Sequence, residues 1–179
     1  GCLFTQDDLD KCLNRIEEIN FHTTKDIGGI RFTPLFAGHV LGAAQYQIEI
    51  AGVTVLYTGD YSRESDRILP IAEVPSVTPD IMIAESTFGI STMAPQKERE
   101  DAFTAIVERT VNRAGKCLIP IFSVGRAQEL LLILDQYWSQ HDEELRMIPI
   151  YYMAQLAKKC MSAFETYALA LRFYLCPTH

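Results

Sequence analysis

The chain has 179 residues, 48% of them apolar and 22% charged, and carries a net charge of −7. That balance suits one ordinary domain or two incomplete ones, excludes bulk disorder, and disfavours wrapping of nucleic acid by overall charge while leaving room for a local basic groove. Five scattered cysteines without a C-x-x-C pair argue against a disulfide framework and read as small apolar core residues of a reducing compartment; no apolar run approaches the roughly 18 residues of a membrane span, and no signal peptide is visible at the start.

In chain order, the first predicted element is an amphipathic helix from Thr5 to Asn20. Thr5 serves as N-cap, Asp7 and Asp8 lie in the first turn, and Leu9, Cys12, Leu13, Ile16 and Ile19 fall on one face. Gly28-Gly29 breaks the chain before a short strand, "IRFTPLF". "AAQYQIEI" and "VTVLY" flank the turn signal Ala51-Gly52, so Ala43 to Tyr57 reads as a β-hairpin. A proline-punctuated loop from Ile68 to Pro79 leads to "DIMIAES", a buried strand ending near Glu85.

The rhythm then changes. A helix is expected from Pro95 to Ala114, with Ala102, Phe103, Ile106, Val107, Thr110 and Val111 inward and Gly115 as its stop. The strand "KCLIPIF", a helix from Gly125 to Gln140, the strand "MIPIYYM" and a helix from Ala154 to about Leu171 follow. This β-α-β-α order predicts a parallel sheet with flanking helices, and the natural cut lies near residue 90.

Five places carry chemistry. His39 sits between Gly38 and Gly42 in a loop that leaves an imidazole room to point outward, as a metal ligand needs, though a locally bonded loop histidine is the commoner case. Asp60 ends a strand after Gly59; a carboxylate there can bridge two metal ions, or simply close an Asx-turn. Glu85 at a strand end needs a partner if buried, and either orients a histidine or caps the following turn. "SVGRAQE" places Ser123 and Arg126 where a strand turns into a helix, a natural phosphate site or a plain capped helix start. Lys158 and Lys159 near a later helix start oppose its dipole, which suits nucleic-acid contact or a solvated face. His22, His141 and His179 have no partners at ligand spacing and read as surface residues.

Taken together, "FAGHVLGAAQYQIEIAGVTVLYTGDYSRESDR", "AEVP", "ESTFG", "SVGRAQELLLILDQYW", "IPIYY" and "LAKKCMSAFETY" resemble the β-CASP branch of the metallo-β-lactamase superfamily, in order from about Thr5 to Tyr167. "YSRESDR" and "LAKKCM" are more similar to the endonucleases that cut pre-mRNA 3′ ends before polyadenylation than to Integrator-type RNA endonucleases. The resemblance implies an α/β fold: part of an αββα sandwich over residues 1–89, then the N-terminal part of a β-CASP α/β domain with a parallel sheet over 90–179. It implies that His39 is a zinc ligand, that Asp60 bridges two zinc ions, and that Glu85 is the catalytic-site carboxylate supporting a general-acid histidine. The implied reaction is attack of a zinc-bound hydroxide on an RNA phosphodiester. The implied partners are pre-mRNA and other cleavage and polyadenylation factor subunits, in the nucleus and away from membranes.

The departures are as informative. The family's H-x-H-x-D-H motif and its two later histidines are absent from this sequence, Ile68 stands where histidine is expected, Ser123 where alanine is common, and the tail "ALALRFYLCPTH" drifts from the family pattern. With a chain that starts Gly1-Cys2, this points to a piece of something longer. Two ligands rarely hold zinc against water, so the isolated chain is expected to bind zinc weakly and not to cut RNA. The competing expectations are a non-catalytic β-CASP scaffold of an RNA-processing complex and a small-molecule metallo-hydrolase.

Overall fold

The computed structural model describes residues 3–64, 67–122, 125–141, 143–154 and 156–175, with side chains left aside at 143–144 and 168–175. Five strands form one mixed sheet in the order β1 (Lys25–Ile27), β2 (Ile30–Phe36), β3 (Ala44–Ile50), β4 (Val53–Tyr57) and β5 (Ile81–Ile83). Helices α1 (Gln6–Leu13), α2 (Gln96–Asn112), α3 (Arg126–Gln140), α4 (Glu143–Arg146) and α5 (Ala157–Leu175) complete this α/β architecture.

The predicted hairpin is present. β3 and β4 pair antiparallel with Ile50 opposite Val53, and Ala51 and Gly52 hold φ of 49° and 81°, the left-handed pair a two-residue turn needs. β2 pairs antiparallel with β3, and β4 pairs parallel with β5. β1 was not foreseen: three residues turn through Gly28-Gly29 onto β2, with Asp26 Oδ1 accepting from the Gly29 N–H at 3.0 Å.

Helix α1 is shorter than expected. Thr5 caps it through a reciprocal bond with Asp8, but it ends at Leu13, and Arg15 and Ile16 bond three residues back instead of four. Its apolar face has nothing to pack on, since Leu9, Leu13 and Ile16 are exposed, and packing is what sustains a short helix. Strand β5 was expected to be buried, yet Ile81, Met82 and Ile83 are all about half exposed, because β5 is the sheet's edge and its faces are uncovered. Among the described residues the cysteines are not core residues either: Cys12 and Cys117 are exposed and Cys160 is half-buried, while Cys2 and Cys176 lie outside the described residues.

In the second half, α2 packs on α3 around Val107, Leu134, Trp138 and Leu145. The inner face of α2 is centred on Phe103, Thr104, Val107 and Val111, and Ala102 and Ile106 point outward. Ala114 at φ 58° and the Gly115 N–H bonding Thr110 O stop α2 as expected. Segments 116–122 and 147–153 carry no ladder pairing among the described residues, although both read as strands. Residues of both line an apolar groove of about 870 Å³ against α2 and α3, and the buried Trp138 Nε1 has no partner among the described residues. Apolar composition marks these stretches as strand formers, but a strand exists only with a neighbour to bond.

Polar contacts join the halves. Glu64 pairs with Arg99 at 2.9 Å, Arg67 Nε bonds Glu100 Oε1 at 3.2 Å, and Arg67 also reaches Gln136. The Arg67 guanidinium holds the Glu100 carboxyl below the usual carboxylate range. Among the described residues no helix is long and apolar enough to cross a membrane.

Two outcomes are expected. In hydrogen exchange, the amides of 116–122 and 147–153 exchange far faster than those of β3; equal protection would mean a ladder we do not see. Because the folded pKa of Glu100 is depressed, its contribution is present above the unfolded value and lost as pH falls through the folded one. Urea unfolding followed through Trp138, the only tryptophan, should therefore show R67M destabilised by about 1 kcal/mol near neutral pH, a difference that fades in acid.

Candidate metal centre and nucleic-acid interface

Three loops at one end of the sheet build the site. The first leaves β2 at Phe36 and carries His39; the second leaves β4 at Tyr57 and carries Asp60; the third leaves β5 at Ile83 and carries Glu85. Backbone bonds knit them to a fourth segment: Ser62 N–H to Ala37 O at 2.8 Å, Ala72 N–H to Ser62 O at 2.7 Å, Glu73 N–H to Phe36 O at 2.9 Å, and Thr58 N–H to Ile83 O at 3.0 Å. Gly38 sits where these chains meet. It holds φ +71°, and a Cβ there would lie 2.6 Å from Ser62 O and 2.7 Å from Ala72 N. Any larger residue would push the segments apart.

His39 Nε2 lies 3.9 Å from Asp60 Oδ2, and both side chains reach solvent, at 43% and 70% exposure. An imidazole nitrogen and a carboxylate oxygen this close can share a cation. Glu85 lies two residues beyond β5, half-exposed rather than in a buried strand. Its carboxylate accepts from the Tyr61 N–H and the Thr87 N–H, both at 3.3 Å. Hydrogen bonding from the Thr87 side chain, then from the Tyr61 amide, holds its pKa below the ordinary glutamate value, with a smaller contribution from His39. Among the described residues no group of three or more His, Cys, Asp or Glu side chains converges as a metal site. His39 and Asp60 thus place two donor groups of the right chemistry side by side.

Arg126 opens α3 and lines a small crevice together with His39, Leu41, Leu69, Glu129 and Phe164. Gly125 caps that helix with φ 86°, its N–H bonds Gln128 Oε1 at 2.7 Å, and a Cβ on it would stand 3.6 Å from Val40 beside His39. The start of α3 therefore abuts the His39 loop. Arg126 pairs with Glu129 at 2.6 Å and is more than half exposed. Lys158 and Lys159 lie exposed in the first turn of α5. Ser123 and His179 lie outside the described residues.

Glu129 and the partners of Glu85 carried no signal in the sequence. His22 is exposed, as expected of a surface residue, but it has a partner that the sequence did not show: Glu73, with both carboxylate oxygens 2.9 Å from His22 Nε2. No local signal marks that pair, because 51 residues separate its members. His141 stacks on Tyr137 at 3.9 Å, and its Nδ1 lies 2.7 Å from the Tyr137 carbonyl oxygen.

Residues 2–84 match the metallo-beta-lactamase superfamily domain and residues 127–175 match the Beta-Casp domain. The chain belongs to the metallo-β-lactamase superfamily, in the branch that carries a Beta-Casp domain, and that family implies metal binding. It is 53% identical to "Cleavage and polyadenylation specificity factor 73" of Drosophila melanogaster over 169 residues, 94% of this chain and 25% of that protein. It is 54% identical to "Endoribonuclease YSH1" of Saccharomyces cerevisiae over 167 residues, 92% of this chain and 21% of that protein. Against "Endoribonuclease ysh1" of Schizosaccharomyces pombe the figures are 51% over 165 residues, 92% and 22%. The chain spans about a quarter or less of the length of these relatives.

Replacing Thr87 by Val removes a hydroxyl that favours the ionised Glu85. The Glu85 pKa should rise toward its ordinary value, as read by side-chain carbon NMR titration; an unchanged value would show that the hydroxyl does not hold the charge.

Proposed function

We propose that this chain is a piece of a nuclear, zinc-dependent endoribonuclease that cuts pre-mRNA 3′ ends before polyadenylation, working with other subunits of a cleavage and polyadenylation factor. The observation that carries this reading is the 3.9 Å approach of His39 Nε2 to Asp60 Oδ2 beside a crevice that also holds Arg126. The names of the relatives point the same way: one is a cleavage and polyadenylation specificity factor, others are endoribonucleases. We assign residues 1–89 to the metallo-β-lactamase part and 90–179 to the Beta-Casp part.

In this reading His39 and Asp60 would hold zinc. Zinc, when bound, supplies an activated water and neutralises charge developing at phosphorus. Glu85, kept ionised by Thr87 and Tyr61, supports a histidine that serves as general acid. Arg126, Ser123, Lys158 and Lys159 receive the RNA backbone; a guanidinium at a helix start suits a phosphate by charge and by its forked donors. The chain's net charge of −7 means that RNA is held by such local cations. The 179 residues alone carry a partial ligand set and are expected to hold zinc weakly and not to cut RNA.

The test uses the full-length natural polypeptide containing this segment. H39A and D60N should each lose bound zinc and cleavage of a 3′-end RNA; retention of both would overturn the reading. Neutralising Arg126, Lys158 and Lys159 together should leave zinc content intact and flatten the salt dependence of RNA binding by about 2 in slope, at roughly 0.7 per single-strand phosphate contact. An unchanged slope would remove these residues from the interface. The isolated chain retaining near two zinc equivalents after dialysis would contradict the partial-site account.

A further inference from the structure

We infer that Glu73, backed by His22, is the positioning residue that sets the His39 loop and through it the metal affinity of the site. The inference rests on the reading of His39 as a metal ligand. Glu73 grips Phe36, three residues before His39, by both backbone groups. Its Oε2 accepts from the Phe36 N–H at 3.0 Å, and its own N–H donates to Phe36 O at 2.9 Å. Gln45, buried to 2% exposure, completes the knot by donating from Nε2 to Phe36 O at 3.1 Å and to Glu73 O at 2.5 Å. Phe36 is the last residue of β2, so the point at which the loop leaves the sheet is set here.

The carboxylate is itself aimed by His22. Both Glu73 oxygens lie 2.9 Å from His22 Nε2, and the His22 N–H bonds Pro34 O at 2.9 Å. His22 stands edge-on to Phe36 with centroids 5.5 Å apart, and Phe21 packs on Phe36 at 4.1 Å. His22 holds φ 61°, a conformation rarely adopted by a residue with a side chain. Strained backbone persists where surrounding contacts over-determine it, and it gathers at sites where geometry matters. A carboxylate that fixes a loop through its amide does for His39 what an outer partner does for a metal-bound imidazole: it removes the freedom to drift off the metal.

The experiment compares E73A, E73Q, H22A and H39A in the full-length polypeptide. E73A should weaken zinc affinity roughly tenfold or more, shift the absorption bands of the cobalt-substituted protein, and lower kcat with KM for RNA unchanged. E73Q keeps an oxygen for the Phe36 amide and should recover most of the affinity; H22A should fall between. Wild-type affinity and kcat in E73A would overturn the inference, as would E73Q failing like E73A while remaining folded by circular dichroism. Full zinc content in H39A would overturn the ligand reading itself; loss in H39A with none in E73A would overturn only the role of Glu73.

Discussion

The backbone at Gly38 is the constraint on which the site depends. Three polar backbone atoms, from Ser62, Pro70 and Ala72, crowd the space where a side chain would begin. Only glycine lets the loop after β2 lie flat against the segment after β4. Because Ser62 follows Asp60 by two residues, the same contact that seats the His39 loop also seats the Asp60 loop. The 3.9 Å imidazole–carboxylate distance is thus a consequence of main-chain packing. Neither side chain bonds the other strongly enough to impose it, since both are well exposed and water screens the pair.

A second layer of order comes from the contacts between the halves. The segment that packs on Gly38 also carries Arg67, which reaches Glu100 on α2 and Gln136 on α3. Gly125 at the start of α3 meets Val40 beside His39. The crevice shared by His39 and Arg126 is therefore framed on both sides by the junction. A shift of one half on the other would change the spacing between the His39–Asp60 pair and Arg126.

Much of the frame was legible in the residues. The β3–β4 hairpin follows from alternating apolar residues about Ala51-Gly52, and α2 and α3 follow from apolar periodicity closed by Gly115 and opened by Gly125. Features that need a distant partner were not legible. β1 has three residues and no pattern of its own. "KCLIPIF" and "MIPIYYM" have the composition of strands, but composition does not supply the neighbour that a ladder requires. Asp60 and His39 read individually as turn and loop residues; only their resemblance to a family pattern paired them, and the structure then brought them within 3.9 Å. Glu73 and His22 escaped because the bond between them spans 51 residues and joins a loop to a pre-strand turn.

The electrostatics of Arg126 bear on how RNA would be received. Its guanidinium is already engaged by Glu129, whose side chain is only 14% exposed. A phosphate arriving at the start of α3 must compete with that carboxylate for the same donors. A polyanion therefore gains less from Arg126 than from an unpaired guanidinium at the same place. On an acidic chain this pairing would weaken adventitious binding of anions at Arg126. Specificity then comes from the partner that Arg126 must give up as much as from the one it gains.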